Sequence, residues 1–228
     1  MTSTALVGST GLVGSHILST LLSLPSVSSV HALARREPKE KDAKLTALVS
    51  SESAEWASKL SAVQPAPGVF YSALGTTRAA AGGIENQRKI DHDLNLQLAQ
   101  AAKNAGVKVY VLISTSGASA TSSMAYPKMK GELEEAVKGL GFEHTVLLRP
   151  GLIVGNRDEF RGAELVARKV AGFMGMFGLK DGWAQDADVI AKAAVSAGLK
   201  ALAGEAPKGV WEIGQSEVIK LGRTEWKA

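Results

Sequence analysis

A chain of 228 residues with 45% apolar and 21% charged residues can bury one sizeable core and lies far from disordered composition, so one domain spanning 1–228 is the expectation. It has no cysteine, which excludes disulfides, thiolate nucleophiles and zinc–thiolate centres and suits a reducing, intracellular setting, read here as cytoplasmic. The net charge of +4 leans toward anionic ligands, but 26 basic against 22 acidic residues is too even a balance for a nucleic-acid surface.

Ser3 to Val7 is a short apolar run closed by Gly8, and Leu12 to Leu24 carries apolar residues at helical spacing until Pro25 stops it. A second strand is expected at Val27 to Ala34, followed by Arg35 to Asp42, a charge run that reads as a solvated loop. A third strand near Leu45 to Val49, a helix around Ala54 to Leu60 and a fourth strand at Val69 to Leu74 follow. Ile84 to Asn104 is the longest helical pattern, with Gly106 placed as its left-handed cap. Val107 to Ile113 is nearly all apolar, as a parallel strand covered on both faces should be. Tyr126 to Leu140 is a helix with Pro127 in its first turn, and His144 to Leu148 is a strand leading into Arg149-Pro150-Gly151.

Beyond that point the alternation weakens. Helices are expected at about Ala163 to Phe173 and Ala187 to Ala203, with a last strand at Val210 to Ile213, and residues 151–205 are assigned to the substrate side. No apolar stretch reaches the roughly 18 residues of a membrane span. Strand and helix in alternation with short connections imply right-handed crossovers: an α/β fold with a doubly wound parallel sheet and ligands at the carboxyl ends of its strands.

The turn Gly8-Ser9-Thr10-Gly11-Leu12-Val13-Gly14 falls where the first strand becomes the first helix. Glycines in that place allow a tight turn, close approach of backbone N–H groups to a pyrophosphate, and packing of helix on strand. At the end of the second strand, where NAD-binding proteins carry an acidic residue for the ribose hydroxyls, this chain has Arg35 and Arg36. A guanidinium fork suits a 2′-phosphate, so the expected cofactor is NADPH.

Tyr126 and Lys130 stand four apart at the start of a predicted helix, on one face. A nearby ammonium and a helix N-terminus both favour a phenolate, which suits proton exchange with a carbonyl or alcohol. Ser114, Thr115 and Ser116 follow the apolar strand at its carboxyl end, where a hydroxyl can orient a substrate oxygen.

At these residues the chain resembles the short-chain dehydrogenase/reductase superfamily in its extended and atypical branch, whose nucleotide-binding domain is a Rossmann fold. Leu74-Gly75-Thr76-Thr77, Tyr126 to Glu132, Arg149-Pro150-Gly151, Arg161-Gly162 and Val166 to Lys169 are similar to the family of the Tat-interacting protein oxidoreductase and its fungal relatives of the mitochondrial outer membrane. The resemblance implies that Tyr126 is the proton donor and that Lys130 holds the nicotinamide ribose and lowers the tyrosine's pKa. It also implies that a hydroxyl among 114–116 binds the substrate carbonyl. The extended branch favours Ser116 for that part, and relatives of this family favour Ser114 or Thr115. Ala73, Leu74, Gly75 and Thr76 are implied to line the cofactor, and Pro150, Gly151, Leu152 and Ile153 to pass beside the nicotinamide. Peripheral contact with the mitochondrial outer membrane is implied as well.

The function so expected is NADPH-dependent reduction of a carbonyl in a small, apolar substrate. The alternatives are an NADPH-binding regulator or scaffold without turnover, and a non-redox isomerase or dehydratase using Tyr126 and Lys130. His16, His31, His92 and His144 have no ligand spacing, so no metal is expected. Asp91-His92-Asp93 is read as a solvated helix face. Phe173 to Leu179, apolar and methionine-rich, is read first as core, with a lid, a dimer contact or a peripheral membrane patch as alternatives.

Overall fold

The computed structural model describes residues 1–154 and 184–227. Its strands are β1 (Thr2–Val7), β2 (Val27–Ala34), β3 (Leu45–Val49), β4 (Val69–Ser72), β5 (Val109–Ile113), β6 (His144–Leu148), β7 (Leu152–Val154), β8 (Ala184–Asp186) and β9 (Gly209–Ile213). Seven of them form one sheet in the order β3-β2-β1-β4-β5-β6-β9, with every neighbouring pair parallel. The helices are α1 (Leu12–Ser23), α2 (Trp56–Ser61), α3 (Arg78–Ala81), α4 (Ile84–Arg88), α5 (Asn95–Asn104), α6 (Ala125–Lys138), α7 (Ala187–Leu202) and α8 (Gln215–Ile219).

Helices cover the sheet on both faces, which is why the strands read as nearly continuous apolar runs rather than alternating ones. Alternate residues of each strand enter opposite cores. Leu6, Tyr71, Val111 and Val146 pack with Ile17, Leu21 and Ile190 from α1 and α7. Val7, Phe70, Leu112 and Leu147 pack with Trp56, Leu98 and Leu133 from α2, α5 and α6. Gly198 admits the first layer: a Cβ there would stand 2.5 Å from the Tyr71 hydroxyl, so only glycine lets α7 lie against β4.

The sheet grows outward in one direction through β2 and β3 and in the other through β4, β5 and β6. The connections on either side of the β1–β4 boundary therefore leave in opposite directions, and a crevice opens at the strand ends there.

Four differences from expectation appear. The fourth strand stops at Ser72, because residues 73–76 turn out toward that crevice, and β5 begins at Val109 rather than Val107. The single helix expected over Ile84 to Asn104 is interrupted by a π-helical turn at Lys89–Leu94 between α4 and α5. The substrate-side region also contains a parallel ribbon, Leu152–Val154 on Ala184–Asp186, that local pattern did not reveal. The helix expected at Ala163 to Phe173 and the methionine-rich run from Phe173 lie outside the described residues, as do the motifs at Arg161-Gly162 and Val166 to Lys169.

Candidate functional site

Gly8 closes β1 with φ +85°, a conformation that L side chains rarely adopt, and a Cβ there would meet the Ala73 carbonyl oxygen at 2.5 Å. A Cβ on Gly14 would meet the Gly8 carbonyl at 2.0 Å, so that glycine seats α1 directly on the turn. Gly11 is roomier at 3.2 Å and serves as N-cap, where no side chain caps the helix and no acidic residue lies in the first turn. Leu12 is half-buried and Val13 buried, leaving Thr10 and Gly11 at the exposed tip. The uncapped N–H groups of a 12-residue helix and its positive end suit an anion. Ser9 adds a buried hydroxyl with no hydrogen-bond partner among the described residues. Arg35 and Arg36 follow the last residue of β2 and are exposed. This combination fits a dinucleotide with an anionic group beyond β2.

Across the crevice, Tyr126 lies in the first turn of α6 at 40% exposure, and Lys130, one turn on, is 3% exposed. The Lys130 ammonium donates to the Ile113 carbonyl at 3.0 Å, fastening α6 to the end of β5. Its burial pushes the ammonium pKa down, and the charges of Asp91 and Glu134 oppose that. Burial, and then the charge of Asp91, push the Tyr126 phenol up to about 12. The expected lowering of the tyrosine is therefore corrected: burial and the charge of Asp91 hold the phenol above its ordinary range.

The three hydroxyls separate by accessibility. Ser114 is buried, with its hydroxyl lacking a partner among the described residues, Thr115 is half-buried and Ser116 is exposed. The Ser116 N–H donates to the Pro150 carbonyl at 2.8 Å, which joins this loop to the segment Pro150, Gly151, Leu152 and Ile153. Leu152 is 47% exposed and Met124, just before α6, 64%, giving the rim two apolar side chains. Gly131 allows the loop to lie on α6: a Cβ would stand 2.2 Å from the Ser119 backbone. Arg149 anchors the end of β6 by forking Glu134 of α6, with contacts at 3.1, 3.2 and 2.5 Å, and reaches Glu212 of β9 at 2.7 Å.

Asp91 corrects the solvated-face expectation: it is 2% exposed, whereas Asp93 points outward and pairs with His92 at 2.8 Å. The Asp91 carboxylate accepts from the Thr76 N–H at 2.6 Å and from the Gln87 amide at 3.3 Å. Asn95 donates to the Leu74 carbonyl at 3.3 Å and accepts from the Ser72 hydroxyl. Residues 73–76 are thus held from beneath by Gln87, Asp91 and Asn95, which share a four-residue spacing, the one sequence signal that could have found them. Among the described residues no cluster of three potential metal ligands occurs, and no helix is long and apolar enough to cross a membrane.

Residues 8–173 match the NAD(P)H-binding family model. The chain is 59% identical over 98% of its length to "Protein fmp52-1, mitochondrial" of Aspergillus terreus, covering 100% of that protein. It is 48% identical over 99% of its length to "Protein fmp-52, mitochondrial" of Neurospora crassa, covering 97% of it. Among solved structures, a short chain dehydrogenase family protein from Francisella tularensis superposes with a TM-score of 0.68 at 12% identity, over 95% of this chain and 98% of that one. MoeE5 in complex with UDP-glucose and NAD superposes at 0.66 with 15% identity, over 97% of this chain and 81% of that one. At such identities the structural likeness speaks for the fold alone.

Proposed function

This chain belongs to the NAD(P)H-binding family and, within it, to the fungal Fmp52 proteins, an atypical branch of the short-chain dehydrogenase/reductase superfamily, and on that premise we propose that it is an NADPH-dependent reductase of apolar carbonyl compounds. The observation that carries the reading is Lys130, buried and tied to the end of β5, one helical turn from an accessible Tyr126 at the mouth of the nucleotide crevice.

Bound NADPH supplies a hydride to an electrophilic carbon. The chain's residues do the rest. The Gly8 to Gly14 turn and the start of α1 receive the pyrophosphate, residues 73–76 and 150–153 flank the nucleotide, and Arg35 with Arg36 forks the 2′-phosphate. Lys130 donates to the nicotinamide ribose. Tyr126, protonated across the neutral range because its pKa stands near 12, delivers a proton to the substrate oxygen as the carbonyl becomes an alcohol. Thr115 and Ser116, the two hydroxyls that reach open space, orient that oxygen, while Met124 and Leu152 favour an apolar substrate body.

Calorimetric titration of the purified protein with NADPH and NADH tests the reading. NADPH should bind the more tightly, and Arg35→Ala and Arg36→Ala should each weaken it by roughly 10- to 150-fold while leaving NADH unchanged, as expected for a charge-assisted hydrogen bond of about 1.5–3 kcal/mol. Equal affinity for the two nucleotides would remove the 2′-phosphate assignment.

The relatives' names carry the word mitochondrial. We propose that this chain lies on the same organelle as a peripheral protein of the outer membrane. Carbonate washing of purified mitochondria should release it, and retention in the pellet would contradict a peripheral attachment.

A further inference from the structure

We infer that Asp91 is a positioning residue of the reaction centre: its buried carboxylate clamps the Gly75–Thr76 stretch of the cofactor cradle and gives Lys130 its counter-charge, fastening cradle and tyrosine helix into one unit. The inference deepens the reductase reading and rests on it for the identity of the nucleotide.

The geometry begins with the π-helical turn at Lys89–Leu94. In an α-helix, residues four apart drift by about 40° around the axis. A wider turn inserted between α4 and α5 offsets that drift. Gln87, Asp91 and Asn95 thereby line up along one face, and together they engage Ser72, Leu74 and Thr76. At Thr76 both backbone groups are taken: the N–H donates to Asp91 at 2.6 Å, and the carbonyl accepts from Gln87 at 3.0 Å. Past the Ala73 N–H, which donates to the Val7 carbonyl at 3.0 Å, this stretch of backbone is held by side chains, so the cradle's shape depends on them.

The second half of the argument is charge. Lys130 is an ammonium at 3% exposure whose hydrogen bond goes to a neutral carbonyl, Ile113, and a buried ammonium needs an anion. From its own helix it faces Glu134, but Glu134 is forked by Arg149. From the π-helical turn the charge of Asp91 acts on it, while Asp93 is turned outward beside His92. Asp91 is therefore the anion left for Lys130, and the attraction favours the charged form of both groups against the burial that opposes it. The same negative charge raises the Tyr126 phenol and so keeps it in the protonated form across the neutral range.

Two variants separate the clamp from the charge. Asp91→Asn keeps the shape and one acceptor oxygen for the Thr76 N–H but removes the charge. Gln87→Met removes the neighbouring hydrogen bonds and leaves the charge. Tyrosinate absorbance is followed against pH on the nucleotide-free, full-length proteins. Tyr71 and Tyr110 are pushed up further than Tyr126 by complete burial, so the first ionisation belongs to Tyr126. In Asp91→Asn that ionisation should move down by about one pH unit, and adding Tyr126→Phe should abolish it. Gln87→Met should titrate like the parent protein. In calorimetry with NADPH, Gln87→Met should bind about tenfold more weakly at every pH. Asp91→Asn should lose affinity at lower pH than the parent does, as Lys130, without its counter-charge, gives up its proton more readily.

An Asp91→Asn protein whose tyrosine titrates like the parent overturns the counter-charge role. One that binds NADPH like the parent at neutral and alkaline pH, together with an unaffected Gln87→Met, overturns the clamp. A parent protein that binds no NADPH while the tyrosinate shift persists would remove the nucleotide assignment and leave the charge role of Asp91 standing.

Discussion

At the scale of single residues, the site is governed by what burial does to two titratable groups four positions apart. Tyr126 sits at the mouth and Lys130 beneath it, and burial moves both away from ionisation: the phenol up to about 12, the ammonium down from its ordinary range. A phenol with that pKa is protonated throughout the neutral range, so carbonyl reduction, which consumes a proton, needs no prior ionisation. Alcohol oxidation needs the phenolate, whose population rises tenfold per pH unit up to about 12. The reductive kcat/KM should therefore be flat from neutral to mildly alkaline pH, while the oxidative one climbs with unit slope over the same range. Tyr126→Phe should cost about 10²–10⁴ in kcat, the usual contribution of general acid catalysis, and leave the calorimetric affinity for NADPH within a few fold. Steady-state rates in both directions across pH check this, and a Tyr126→Phe protein with undiminished kcat would move the proton donor elsewhere.

At the scale of elements, α6 carries Tyr126 and Lys130, and the glycine within it and the glycine at its C-cap do opposite work. Gly131 lies where a Cβ would run into the Ser119 and Ala120 backbone at 2.2 and 2.3 Å, whereas Gly139, at the helix end with φ −63°, has only ordinary contacts from 3.4 Å outward. Helix propensity alone would reward alanine at either position by about 1 kcal/mol. At Gly139 that gain should survive, as a stabilisation of about 0.4–1 kcal/mol. At Gly131 the collision is with backbone that cannot rotate away, and an overpacking cost of about 1–3 kcal/mol should reverse the sign and lift the loop bearing Thr115 and Ser116. Urea denaturation of the two single variants reads the opposed signs directly, and equal stabilisation by both would show that the loop does not rest on α6. The sequence made part of this legible: strand runs, the glycine turn and the Tyr126–Lys130 spacing are local patterns that local physics dictates. Asp91 was hidden because Asp-His-Asp on a regular helix places charges toward water, and nothing in the pattern announces the π-helical turn that turns Asp91 inward. Gly131 was hidden for a related reason, since its demand comes from a loop folded over it. The β7–β8 ribbon joins segments far apart in the chain, and three-residue strands carry too little periodicity to be read alone.

At the scale of the whole molecule, the nucleotide crevice is assembled from distant parts of one chain. The glycine turn follows β1, the arginines follow β2, residues 73–76 follow β4, Lys130 reaches across to the end of β5, and Pro150 follows β6. Four of these strands, β2, β1, β4 and β5, are neighbours in the sheet, with β6 next to them, so a ligand in the crevice bridges both halves of the doubly wound core. Unfolding either half destroys the site, and binding should stabilise the cooperative unit as a whole rather than one lobe. The linkage gives about 2.7 kcal/mol at a free NADPH concentration of 100 times Kd. For a chain of this length each kcal/mol moves Tm by about 2–4 °C, so Tm should rise by roughly 5–10 °C in a single transition. NADH at the same concentration should move it less, by an amount set by the missing 2′-phosphate contacts of Arg35 and Arg36. Differential scanning calorimetry with each nucleotide supplies the measurement. A transition that splits, with only one part shifted by NADPH, would mean that the crevice is built on one half of the sheet, and an unmoved Tm at saturating nucleotide would take away the dinucleotide reading itself.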